Sequence, residues 1–345
     1  MKPMNRKYFI SSLVASAIVF PSLKSRADFS AIEEVSKIKI PPYLKPGDTI
    51  GITSPAGSIS LSGIQPAVQL MESWGYKIAI GSTIGKKDFT YGGTDKERLE
   101  DLQQLLDNPV IKAIMCARGG YGIVRIIDQL DFTEFIKHPK WLIGFSDVTV
   151  LHCHINQNFG IATLHAKMCN SFPDDWTKAE PIQISTILSI RQALAGEDFK
   201  YTAPITQSNR LGRAEGVLVG GNLSIIASNS GTKSDLHTAG KILFLEDTGE
   251  YLYNIDRMFW NLKRTGKLAH LAGLIIGGFS AKPDDPGEIF GKTTEEIVME
   301  KVKEYDYPVC FNFPSGHQRA NFALKCGTQH MLEVGREGSM LRSLK

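Results

Sequence analysis

The stretch WLIGFSDVTVLHCH, Trp141 to His154, sets a hydroxyl at a corner. An apolar run ends at Gly144, Ser146 and Asp147 follow, and apolar residues then recur at helical spacing through Val148, Leu151, Ile155 and Phe159. A serine in a tight strand-to-helix turn has its hydroxyl exposed at the positive end of a helix, which suits a nucleophile. The same position suits an N-cap, and the local pattern taken alone favours the cap. The G-x-S-x-G elbow of α/β-hydrolases is not met, because Val148 holds its last position. A nucleophile here therefore needs a base and an orienting acid from elsewhere in the chain.

Two positions offer them. FPSGHQRAN presents His317 on a loop beside Gly316, where it is either a base or a surface histidine. KILFLED is an apolar strand ending in Glu246 and Asp247. A carboxylate at the mouth of a buried strand is costly unless paired, and orienting an imidazole is one such use; a solvated strand end is the other reading. His152 and His154 flank Cys153, but residues two apart on a helix point about 200° apart and cannot share one metal ion. His138, His237 and His270 carry no pattern, and Cys116, inside the apolar AIMCA, reads as a buried, inert thiol.

The elements that must position these groups alternate. From Asp48, TIGIT reads as a strand, GIQPAVQLMESWG as a helix closed by Gly75, and YKIAIG as a strand. TDKERLEDLQQLLDNP reads as a helix with Thr94 and Glu97 as a capping box, VIKAIMC as a strand, and YGIVRIIDQL as a further helix. Such alternation predicts an α/β fold with a parallel sheet in a three-layer N-terminal domain. Ligands of such sheets bind outside the carboxyl ends of the strands. That rim carries TSPAG (Thr53–Gly57), ARGGYG (Ala117–Gly122) and GFSD (Gly144–Asp147). The domain is expected over 46–172, with a connecting segment at 173–210. A second, β-rich α/β domain is expected over 211–345, carrying the acid and the histidine, with GTQHMLEV as its last strand.

The chain has 345 residues, 42% hydrophobic and 22% charged, with a net charge of +3 and no basic run, so nucleic acid is not an expected partner. MKPMNRK followed by the apolar YFISSLVASAIVF, with Ser25 and Ala27 before Asp28, describes a signal peptide at 1–27. An uncleaved anchor is the other reading. After the signal, residues 28–45 read as a mobile lead. Export to the periplasm is the expected localisation, without stable membrane association once the signal is removed. NRKYF departs from a twin-arginine signal at Lys7. The five scattered cysteines read mostly as small buried residues, with room for one oxidised pair.

In order and spacing, GITSPAG, ARGGYG, IGFSDVTVLH, EGVLVGGNLSII, LFLEDTGEYLYNIDRMFWNLKRTG, LIIGGF and PSGHQRAN resemble the LD-carboxypeptidase family of serine peptidases, from about Gly47 to Val334. The resemblance implies Ser146 as nucleophile, His317 as base and Glu246 as its orienting acid. The amide of Asp147, directly after the nucleophile, is then the first oxyanion donor, and Gly120 the second candidate; a tight turn is the other reading of the glycine pair. The implied reaction is cleavage between an L-stereocentre and a terminal D-alanine in peptidoglycan tetrapeptides. It would be carried out by a homodimer with no metal or other cofactor. Such a muropeptide is anionic, so Arg118 and Arg319, with Tyr121 of the glycine-rich loop, are the candidate substrate-binding residues. The chain departs from the family pattern at Gln318 and at Lys325, where LKCG stands for an LP-x-G element.

Two other functions use the same features. An immunity-type branch of the family hydrolyses peptidyl-nucleotide antibiotics, for which Trp176 is a conceivable stacking platform. A catalytically silent muropeptide-binding protein would also use glycine-rich loops around a cleft.

Overall fold

The computed structural model describes residues 38–344, so the expected signal peptide and residues 28–37 of the expected lead lie outside the described residues. Strand β1 (Thr49–Thr53) is buried beyond its first residue. It leads to helix α1 (Leu61–Ser73), capped by Ser60, which accepts the Gly63 N–H at 3.1 Å. After β2 (Lys77–Ile80), helix α2 (Asp95–Asp107) opens with the expected Thr94–Glu97 capping box, a device that stabilises by about 1 kcal/mol. Strand β3 (Ile111–Cys116), the short α3 (Thr133–Lys137), β4 (Trp141–Gly144), α4 (Thr149–Phe159) and β5 (Thr163–His165) complete the alternation. These strands pair in parallel in the order 2-1-3-4-5, so chain direction switches between β1 and β3. The loops after those two strands and after β4 share one rim, where a doubly wound sheet binds its ligand.

Helix α5 (Pro181–Ala195) starts with proline in its first turn and ends at Gly196 in the left-handed region. Its Ile187, Ile190 and Leu194 share a core with Ile64, Val68 and Met71 of α1. On the opposite face Leu102, Leu105, Phe135, Leu151 and Ile155 pack from α2, α3 and α4. With β6 (Lys200–Ala203) joining the second sheet, residues 173–210 are structured rather than a plain connection. Leu44 is likewise buried and Lys39 bridges to Ile161, so residues 38–45 of the expected lead pack on the first sheet.

The second half runs through β7 (Gly212–Asn222), α6 (Leu223–Ser228), β8 (Ile242–Tyr251), α7 (Leu252–Arg264), β9 (Gly273–Lys282), α8 (Thr294–Val302) and β10 (Val309–Cys310). It closes with β11 (Leu324–Cys326), β12 (Gln329–Val334) and β13 (Ser339–Ser343). Seven of these strands, β6 included, form a mixed sheet in the order 10-9-8-7-12-13-6. Strand β11 does not join it. It pairs antiparallel with β5 and completes the first sheet as a sixth strand. The halves also meet at α4 and β7, where Thr149 Oγ1 accepts the Asn222 N–H at 3.1 Å; a Cβ on Gly221 would fall within 2.6 Å of that oxygen.

Two expectations fail locally. YGIVRIIDQL is not a helix but two single 3₁₀ turns, Ile123–Arg125 and Ile127–Gln129. The Ile123 N–H is given to Asp147 Oδ2 at 2.9 Å, and Arg98 takes the Gly122 carbonyl at 2.9 Å, so tertiary partners claim the first backbone groups. GTQHMLEV is not the last strand, because a turn closed by Gly335 N–H to Gly338 O at 2.9 Å returns the chain as β13. Among the described residues no helix is long and apolar enough to cross a membrane.

Candidate active site

Ser146 is not an N-cap. It sits at φ +63°, outside the extended region that caps occupy, and its Oγ makes no hydrogen bond among the described residues. A non-glycine residue in the left-handed region is strained, and such strain gathers at functional turns. The turn leaves Ser146 half-buried between the buried Phe145 and Asp147, where β4 ends. Gly119 lies against it: a Cβ there would come within 3.0 Å of Ser146 Cβ and 3.2 Å of Oγ.

Glu246 and His317 are brought together from the second half. Glu246 is fully buried at the end of the apolar part of β8, and its Oε2 accepts both the His317 backbone N–H at 3.1 Å and Nδ1 at 2.7 Å. Its Oε1 has no partner. The loop carrying His317 is held by Asn321, whose Oδ1 accepts the Gly316 N–H at 2.8 Å, and by Gly278 N–H to Ser315 O at 2.8 Å. Gln318, a departure from the family pattern, donates from Nε2 to the carbonyls of Phe313 and Ser315 at 2.8 and 3.1 Å. It thereby fastens the loop from within. The His317 ring lies 4.8 Å from that of Phe145, the residue before Ser146 in sequence.

Gly316 makes the close approach possible. It has φ +103°, and a Cβ there would lie 2.5 Å from Glu246 Cβ and 2.7 Å from Oε2. Gly316→Ala is expected to lower stability by about 3 kcal/mol, from backbone strain and overlap in a site that cannot give way. Urea unfolding checks this, and an unchanged midpoint would show that the loop yields.

The backbone donors follow from strand order. Gly119 O accepts the Gly57 N–H at 2.9 Å. A trans peptide points its C=O and the next N–H to opposite sides, so the Gly120 N–H is turned away from the β1 side and toward β4, where Ser146 lies. Asp147 fixes this arrangement by holding Ile123 N–H on Oδ2. Arg98, buried on α2, donates to Pro55 O at 2.6 Å and Gly122 O at 2.9 Å, tying the rim loops together. Nothing in the sequence analysis singled out Arg98, although its spacing to Leu102 and Leu105 puts it on the buried face of α2.

A cavity of about 870 Å³ opens beside His317, lined also by Phe145, Lys167, Glu180, Thr248 and Arg319. Of the residues expected to bind substrate, only Arg319 borders it, and its guanidinium is spent on Glu180 at 2.5 and 2.6 Å. Arg118 is exposed and donates to Ser58 O at 3.0 Å, and Tyr121 lies tilted at 47° to Tyr91 with ring centroids 6.0 Å apart; neither lines the cavity. Lys167, which follows β5, does line it and was missed, because a lysine after a short strand carries no pattern of its own. Trp176 is half-buried against the core of the first half and is not among the lining residues. All five cysteines are free and buried, and burial pushes the Cys116 thiol up, which removes it as a nucleophile. Among the described residues no three histidine, cysteine or acidic side chains are placed to hold a metal ion.

Models of the LD-carboxypeptidase N-terminal and C-terminal domains match residues 50–166 and 215–332. The chain belongs to the LD-carboxypeptidase family. The chain is thus a serine-type peptidase, a hydrolase. It is 32% identical over 311 residues to the probable murein peptide carboxypeptidase of Bacillus subtilis, covering 88% of this chain and 94% of that one. It is 26% identical to the microcin C7 self-immunity protein MccF of Escherichia coli, covering 82% and 90%. The muramoyltetrapeptide carboxypeptidase of Oxalobacter formigenes superposes with a TM-score of 0.76 at 25% identity, covering 86% and 99%.

Buried titratable groups occur in both halves of the chain. His152 and His330 are pulled down to about 4 by burial, and His165 well below 6.5. A depressed histidine contributes stability that is present above its unfolded value and lost as pH falls toward the folded one. Asp147 and Asp247 are pushed up to about 6 by burial, so their contribution runs the other way and is lost as pH rises through 6. Each group changes stability by about 1.4 kcal/mol per pH unit inside its window. With four depressed histidines, His154 included, against two raised aspartates, stability is expected to fall on acidification from pH 6 to 4. Urea titrations at pH 4.5, 5, 5.5 and 6 check the sign, and a rise on acidification would show that the carboxylates dominate.

Proposed function

We propose that the chain removes the terminal D-alanine from peptidoglycan tetrapeptides, hydrolysing the bond that links it to an L-stereocentre. Ser146 is the nucleophile, His317 the general base and then acid, and Glu246 the carboxylate that orients the imidazole. The observation that carries this reading is the doubly held Glu246–His317 pair, 2.7 Å at Nδ1, at a cavity also lined by Phe145, the residue directly before the strained and unpartnered Ser146. With Nδ1–H given to Glu246, the neutral ring presents an unprotonated Nε2 to the Ser146 proton. The Ser146–His317 contact closes with substrate bound, as such contacts commonly do.

As Oγ attacks the carbonyl, His317 takes its proton and passes it to the leaving amine. Water then attacks the acyl-enzyme with the same histidine as base. The amides of Asp147 and Gly120 receive the oxyanion, each contributing about 3 kcal/mol in the transition state. The names of the murein and muramoyltetrapeptide relatives support the substrate. The position of Trp176, half-buried against the core and off the cavity lining, disfavours a nucleotide-stacking role. The cationic start and short apolar run support action in the periplasm.

The test is incubation of the purified protein with a disaccharide-tetrapeptide, followed by mass spectrometry. Loss of one alanine is the expected result. Intact substrate that nevertheless binds would favour a silent binding protein instead.

A further inference from the structure

We propose that Lys167 receives the terminal carboxylate of the substrate and so makes the enzyme a carboxypeptidase rather than an endopeptidase. The inference rests on the reading under Proposed function and names a residue that neither the rim motifs nor the triad includes.

Three cations line the cavity, and two of them already hold a carboxylate. One terminal nitrogen of exposed Arg319 contacts both oxygens of Glu180 at 2.5 and 2.6 Å, Lys178 pairs with Asp175 at 2.9 Å, and exposed Arg118 donates to Ser58 O at 3.0 Å outside the cavity. Lys167 is half-buried in the cavity wall, and among the described residues no carboxylate lies within ion-pair distance of it. Its Nζ donates to one acceptor, the Gln318 carbonyl at 2.8 Å, and lies 5.5 Å from the centre of the Phe145 ring. An ammonium has three donors, so two remain for a ligand. Burial pulls its pKa down and the charge of Glu246 opposes this. A partly desolvated cation in this state gains from an anion that it can hydrogen-bond.

Position decides which anion. Lys167 follows β5 and Ser146 follows β4, and these strands are parallel neighbours paired at Gly144 and His165. The acceptor of Lys167 belongs to Gln318, the residue directly after the proton donor His317. In a C-terminal residue the carboxylate oxygens lie at most about 4 Å from the amide nitrogen that departs, as three bonds of standard length require. A cation beside the group that protonates that nitrogen is therefore placed where the carboxylate falls. A longer substrate would put a neutral peptide group there and leave the ammonium without its partner.

The experiment uses full chains carrying Ser146→Ala, so that binding is read without turnover. Calorimetry compares a disaccharide-tetrapeptide ending in D-alanine with the same compound ending in D-alanine amide. The acid form is expected to bind about 30-fold tighter than the amide, the range of a charge-assisted hydrogen bond. Lys167→Met should abolish that preference, and Lys167→Arg should retain most of it. If Lys167 only pins the His317 loop, Lys167→Met will weaken both ligands equally and the preference will persist, which overturns the assignment alone. Binding of neither ligand to the Ser146→Ala protein would overturn the functional reading and this one with it.

Discussion

Ser146→Ala is expected to lower kcat for alanine release by about 10⁵-fold, the scale of losing a nucleophile whose partners act as a unit. What remains is stabilisation by the backbone donors and binding. KM should stay within a few-fold, since the hydroxyl makes no ground-state contact in the free site. The same position predicts a gain elsewhere. A serine held at φ +63° costs about 1–2 kcal/mol that glycine does not. Ser146→Gly should thus be equally inactive yet more stable than the parent by about 1 kcal/mol in urea unfolding. Stability bought back by deleting a hydroxyl is the mark of a turn strained for function rather than for folding. Retained turnover in either variant would remove Ser146 from the reaction.

Glu246→Gln is the second large effect, with kcat expected to fall by about 10³- to 10⁴-fold and little change in KM. Oε2 now accepts two N–H groups of His317, and the amide has one oxygen with which to do so and no charge to stabilise an imidazolium. The fold should survive, because an uncharged isostere relieves the desolvation cost of a fully buried carboxylate. Combining Glu246→Gln with His317→Ala separates the roles. If the pair acts as a unit, the double variant is scarcely slower than His317→Ala alone. Multiplying effects would mean that Glu246 acts independently of the imidazole.

Much of this was legible in the residues. Alternating apolar strands and capped helices identified the first sheet, because parallel strands buried on both faces must be apolar throughout and their helices must be stopped by caps and glycines. Ser146, Glu246 and His317 stood out at breaks in such patterns, but the residues alone left a cap, a solvated strand end and a surface histidine as readings, and the proposed roles came from the family resemblance. The rest depends on contacts between distant segments. Arg98 and Asn321 carry no motif of their own, and their role shows only in the loops they tie. YGIVRIIDQL has helical spacing, yet Asp147 claims a backbone group from its start. Arg118 and Arg319 have the right charge, but only the fold shows that neither cation is free for the cavity. Lys167 has no sequence signature at all, and it is the proximity of two strand ends that gives it one.

The insertion of β11 into the first sheet also bears on how the molecule is made. Its partner β5 lies far earlier in the chain, so during synthesis the first sheet carries an open, apolar edge until Cys326 has emerged. The loop directly ahead of β11 also brings His317. Sealing of the sheet and arrival of the base are therefore nearly one event in time, and a nascent chain holds its serine without a partner until almost everything else is in place. The two halves matched by separate family models are in this sense not interchangeable cassettes, because neither sheet nor catalytic corner is finished by one half alone.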